Sequence, residues 1–223
     1  MQERLWDHQP GSLLDWVIYT STYRTWSGHS VGQLPSHARQ LPILWCRTSQ
    51  GSKLSTSLGH LLLEEGASLI HVSSSSPPLA NLSMVKSLGY SERATSALLS
   101  LVLQAFEATV RGGDFPQYLT HSGILAVTPG HAKNLGQEVT KVFANLLLMD
   151  ETRKWRIMIN DVDDLEKEAI SEIGKVLGRL VEPSSPYRMN NLRVAVLGED
   201  PIHFPTVARH VAVVDENTEY LGM

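Results

Sequence analysis

The stretch LPILWCRTSQG, residues 41–51, carries Cys46, the only cysteine in the chain. An apolar run that ends in a thiol and enters a Gly/Ser turn has the form of a nucleophile held at the mouth of a sheet. A thiolate, not a thiol, attacks a carbonyl, so such a residue needs a lowered pKa or a neighbouring base. Arg47 would favour the thiolate. The turn RTSQGS would offer backbone N–H groups to a developing oxyanion. His29, in the Gly-flanked segment TWSGHS, is the candidate base. The competing reading is that Cys46 is core, because free cysteine is among the most buried residue types.

Other chemistry-bearing residues are more dispersed. His37 and His60 are near in sequence, with His60 inside an apolar helical pattern, and His71 ends the strand-like SLIHV. One cysteine excludes a thiolate-rich zinc site, and neither HxxxH nor HExxH occurs. Asp161, Asp163 and Asp164 could hold Mg²⁺, although capping of the helix that follows explains them more simply. The segment AVTPGHAKNLG (126–136) reads as strand, turn and helix, a place where an anion can bind. There is no Walker A pattern and no GxGxxG, so no nucleotide cofactor is expected, and no metal. LGEDPIHFP (197–205) reads as a strand-end turn.

The elements that must position these groups alternate between two periods. Strands are expected at 13–20, 41–46, 68–72, 123–128, 155–159, 192–198 and 210–214. Helices are expected at 55–67, 91–113, 134–151 and 163–181. Ser55 or Thr56 is a candidate cap for the first helix and Gly66 its stop. In the second, Leu98, Leu101, Val102, Ala105 and Phe106 share a face that Leu99 and Leu103 widen. In the third, Leu135, Val139, Val142, Phe143, Leu146 and Leu147 form the stripe. The strand–helix–strand unit over 41–72 predicts a parallel pair. The fold class is α/β, a mostly parallel sheet flanked by helices. Residues 1–12 read as a polar leader or linker and 13–223 as one domain. The SSSSPP loop (73–78) is expected to follow a strand, where ligand crevices of open α/β sheets lie.

Composition narrows the function classes. With 223 residues, 42% hydrophobic and 19% charged, the chain can bury a substantial core. A net charge of −4 gives no basic footprint, so no nucleic-acid partner is expected. No run is long enough for a membrane span. The N-terminus lacks a secretory pattern, and no disulfide framework exists, so an intracellular location is expected.

Taken in order, several pieces resemble one family. LPILWCRTSQG is similar to the strand that carries the nucleophilic cysteine in caspase-fold proteins of the CHAT group. LGHLLLEEGASLIHV (58–72) resembles that group's helix with its Leu-Leu-x-x-Gly-Ala ending and the strand after it. LLSLVLQAFEATVRGGD (98–114) resembles its next helix. SPYRMNNLRVAVLGEDP (185–201) resembles its aromatic turn and a strand closing on Gly-Asp-Pro, here with Glu199 before Asp200. The resemblance covers residues 13–202. It implies a caspase-like three-layer sandwich and, in active members, a dyad in which Cys46 attacks a peptide carbonyl and His29 handles protons. Ser30 stands after His29 where the family has glycine, and only 17 positions separate His29 from Cys46. The expected function is therefore a CHAT-like interaction or regulatory domain with a protein or peptide partner, as part of a larger protein. The alternatives are an active cysteine peptidase, or an α/β enzyme that takes an anionic small molecule near Ser73 to Ser76 and the TPGH turn.

Overall fold

The computed structural model describes residues 14–28, 41–73, 92–111, 135–149, 152–160, 165–199 and 211–216. Among them are five strands: β1 (Ile43–Arg47), β2 (Ser68–Ser73), β3 (Trp155–Asn160), β4 (Leu192–Gly198) and β5 (Val211–Asp215). All are parallel and form one sheet in the order β2-β3-β4-β1-β5. Six helices flank it: α1 (Asp15–Ile18), α2 (Ser21–Ser27), α3 (Gly51–Glu64), α4 (Glu92–Arg111), α5 (Leu135–Leu148) and α6 (Lys167–Val181). This is the expected α/β architecture in three layers.

The pleat sorts the strand residues into two cores. Ile43, Ile70, Val72, Trp155, Ile157, Ile159, Val194 and Val196 face α4, α5 and α6. Leu44, Cys46, Met158, Ala195, Leu197 and Val214 face α1, α2 and α3. Both faces are covered, which is why β3 and β4 read as nearly unbroken apolar runs. Leu98, Leu101 and Ala105 of α4 are fully buried, and Val102, Phe106 and Leu99 pack beside them. Leu103 instead points to solvent at 46% exposure, so the apolar face of α4 is narrower than the sequence implies. Each fully enclosed leucine on these faces contributes about 1.5–3 kcal/mol of burial. Trp155 satisfies its indole by donating Nε1–H to the Leu147 carbonyl at 3.0 Å.

Three expectations are corrected. Residues 13–20 do not form a strand: Asp15–Ile18 is a single helical turn, with Leu14, Val17 and Ile18 buried together at helical spacing. The first long helix begins at Gly51, before Ser55 and Thr56. Those two hydroxyls lie inside the helix and donate back to the Ser52 carbonyl at 2.8 and 3.2 Å. β1 and β2 run parallel but are not neighbours, because β4 and β3 lie between them. Gly66 closes α3 as expected. It has φ +74°, its N–H bonds to the Leu63 carbonyl at 2.9 Å, and the next N–H, of Ala67, bonds to Leu62 at 3.0 Å. That is a Schellman closure, and its left-handed position favours glycine. Residues 123–128 lie outside the described residues.

Candidate functional site at the carboxyl end of β1

β1 lies between β4 and β5, and its chain leaves the sheet to build α3 over the face that Cys46 occupies. Cys46 is in register with Leu197 on one side and Val214 on the other. All three belong to the buried cluster that includes Leu54 and Leu58 of α3. The thiol has no solvent exposure. Burial alone pushes it from an ordinary value near 9 up to about 12. Taking a thiolate out of water is costly without a paired cation, so the neutral thiol persists through the physiological range.

Arg47 does not offset that cost. It follows Cys46 along an extended strand and points to the other face. Its Nη1 reaches Asp215 Oδ2 at 3.3 Å, with the Arg47 side chain half exposed. The turn after β1 is held by its own bonds. Thr48 N–H donates to the Gly198 carbonyl at 3.3 Å and Gln50 N–H donates to Thr48 Oγ1 at 3.0 Å. These two N–H groups are already engaged within the fold.

His29 and His37 lie outside the described residues, as do Asp161, Asp163, Asp164 and residues 126–134. The two described histidines are placed elsewhere. His60 is exposed on α3. His71 is on β2, three strand spacings from β1, a separation of roughly 14 Å at about 4.8 Å per step. Its ring Nε2 is buried with no hydrogen-bond partner. Ser73 is buried at the end of the same strand. α6 begins at Lys167, with Glu166 at its N-cap and Glu168 in its first turn, so the helix starts beyond the three aspartates.

What the structure does assemble at the mouth of β1 is a polar network that the sequence reading missed. Thr48, only 3% exposed, donates its hydroxyl to Glu216 Oε2. Gln50 Nε2 reaches Glu216 Oε1 at 3.5 Å, and Glu216 N–H donates to the Arg47 carbonyl at 3.1 Å. Trp45 Nε1–H donates to the Gly198 carbonyl at 3.1 Å. One carboxylate from the end of β5 thus ties down the turn that leads into α3. The available signal was the apolar strand 210–214 running into Asp-Glu, which places acids at the carboxyl end of a parallel strand.

A second buried polar group lies at the opposite end of the strands. Arg156 and Arg193 are in register on β3 and β4. Arg156 sits over the Trp26 ring at 5.7 Å and donates Nη1–H to the Trp155 carbonyl at 3.0 Å. Arg193 Nε–H donates to the Trp26 carbonyl at 3.2 Å, and Trp26 Nε1–H to that of Pro42 at 3.1 Å. Burial lowers both guanidinium pKa values, that of Arg193 to about 10, where Arg156 adds repulsion. Burial raises the pKa of Tyr23, and the Glu65 carboxylate and Cys46 raise it further. These contacts fasten α2 to the sheet.

No protein-family model matches the chain. No curated protein matches it in sequence. Among the described residues there is no group of three histidine, cysteine, aspartate or glutamate side chains placed to hold a metal. No described helix is long and apolar enough to cross a membrane.

Proposed function

We propose that this chain is a CHAT-like, caspase-fold module that works by binding a protein or peptide partner, with Cys46 as a core residue and not a nucleophile. The observation that carries the non-catalytic part of this reading is the enclosure of the thiol, which has no solvent exposure, so that burial pushes its pKa up. A three-layer parallel sheet with the cysteine strand inside it is compatible with the fold the resemblance implies. The placement of Ser30 after His29 supports the non-catalytic form of that fold.

The test is digestion of a diverse peptide library by the folded chain, read by mass spectrometry, beside the Cys46→Ala variant. The reading expects no cleavage that depends on Cys46. Cleavage that Cys46→Ala abolishes would overturn it and establish the peptidase alternative, with His29→Ala then identifying the base.

A further inference from the structure

Two buried donors at the amino end of the sheet bond to no described residue. Tyr23, on α2, is 2% exposed, and its phenol oxygen is buried without a hydrogen-bond partner. Arg156, on β3, is 5% exposed. Its Nη1–H groups go to the Trp155 and Asn191 carbonyls at 3.0 and 3.4 Å, whereas its Nε is buried without a partner. Buried polar groups are nearly always satisfied, so two such donors side by side call for an acceptor between them.

Both side chains pack on one ring. The Tyr23 ring centroid lies 5.6 Å from that of Trp26, and the Arg156 guanidinium lies 5.7 Å from the same ring. Tyr23 and Arg156 feel each other's charge, and both feel that of Glu65, the residue that ends α3. Glu65 Oε1 is itself shielded from solvent. Three elements, α2, α3 and β3, thus each bring one polar group to the same enclosed place.

The charges there select the ligand. An anion would accept from Arg156 but meet the Glu65 carboxylate, and a cation would meet the Arg156 guanidinium. A neutral molecule that both accepts and donates suits all three groups, and water is the smallest one. Buried waters commonly make about three hydrogen bonds to polar groups of this kind.

We propose that one ordered water is bound between Tyr23, Arg156 and Glu65. It accepts from Arg156 Nε–H and from the Tyr23 hydroxyl and donates to the Glu65 carboxylate, so that it ties α2 and the end of α3 to β3.

The test has two readouts on the unaltered chain. In nuclear magnetic resonance, the Arg156 Nε–H proton should show a dipolar cross-peak to water with the sign of a long-lived water. In a high-resolution crystal structure grown with bromide, one water should lie within hydrogen-bond reach of all three side chains. No water cross-peak at Arg156 Nε–H, a direct bond from Tyr23 to Glu65 or Arg156, or a bromide peak in that position would each overturn the proposal. Tyr23→Phe removes one of the water's three bonds, so exchange of the Arg156 Nε–H proton with solvent should quicken on the order of tenfold. Tyr19→Phe, at an exposed tyrosine, should leave that rate unchanged. An equal rate in Tyr23→Phe and the original chain would also overturn it, and if Tyr23→Phe does not fold, the two readouts on the unaltered chain still decide.

Discussion

Raising the pH above 9 should destabilise this protein first through the Cys46 sulfur. In the unfolded chain the thiol ionises near its ordinary value of 9, whereas in the folded protein it holds its proton to about 12. Below pH 9 both states carry the proton and stability is unaffected. Between 9 and 12 the unfolded state has lost a proton that the folded state still binds, so stability falls by about 1.4 kcal/mol per pH unit. Over the whole window the loss is about 4 kcal/mol, from three units of pKa difference. Cys46→Ala removes this slope. The variant also loses a buried sulfur, which costs about 1–2 kcal/mol at pH 7. The two stability curves therefore cross near pH 10, above which the alanine variant is the more stable protein. Urea unfolding at pH steps from 7 to 11 measures both curves. Between pH 9 and 10 the comparison is cleanest, because above that Tyr23, whose ordinary value is 10.0, adds its own alkaline loss, and Arg193, lowered to about 10 in the folded protein, adds a gain of opposite sign. The same pKa difference leaves the folded protein with roughly a thousandth of the ordinary thiolate fraction at pH 8. Alkylation there should wait on unfolding. Equal alkylation rates for folded and unfolded protein, or parallel stability curves for the two chains, would refute the reasoning.

Other substitutions test the elements around the thiol. Gly66→Ala should cost about 1 kcal/mol by urea unfolding, although no atom lies within 4 Å of the new Cβ, because φ +74° is a left-handed position. Thr48→Val keeps the shape of a buried side chain but removes the hydroxyl that donates to Glu216 and accepts from Gln50 N–H. It should cost about 1–3 kcal/mol and speed amide exchange at Gln50. At Gly59 a Cβ would meet Met158 Cε at 3.2 Å and Leu69 Cδ2 at 3.4 Å. Gly59→Ala should stay within about 1 kcal/mol of the original, since the end of a methionine yields and alanine favours the helix. Gly59→Leu should lose about 1–3 kcal/mol by overpacking, measured the same way.

The strands were legible where burial on both faces leaves no polar alternation to confuse the pattern. Residues 192–198 are the clearest case, and 41–46, 68–72 and 155–159 agree with β1, β2 and β3 to within two residues. The error at 13–20 has a physical source. Val17 and Ile18 are β-branched and suggest a strand, yet Leu14, Val17 and Ile18 also fit one helical turn, and packing against the Tyr23–Trp26 side of the core decides for the helix. The start of α3 was misplaced because serine and threonine serve equally as caps and as back-bonded interior residues. The order of strands had no local signal: β1 and β2 are joined by one helix, yet two strands from much later in the chain insert between them. Glu216 was missed for the same reason, since it meets Thr48 across 168 positions of sequence.

The choice between a reactive and a buried Cys46 turns on the path of the chain after it. The helix that follows β1 packs on the same face of the sheet as Leu44 and Cys46, so it seals the last inward side chain of its own strand. A thiol on that parity is shielded however close it stands to the strand's end. The first side chain to escape is the next one, Arg47, and beyond it the turn opens among Gln50, Asp215 and Glu216, with Thr48 buried beneath them. A ligand approaching the carboxyl end of β1 therefore meets an arginine and two carboxylates, and Leu54 and Leu58 stand with the sulfur in the core behind them. Moving the cysteine one place along the strand would expose a thiol beside Asp215, whose carboxylate would raise its pKa and lower its thiolate fraction.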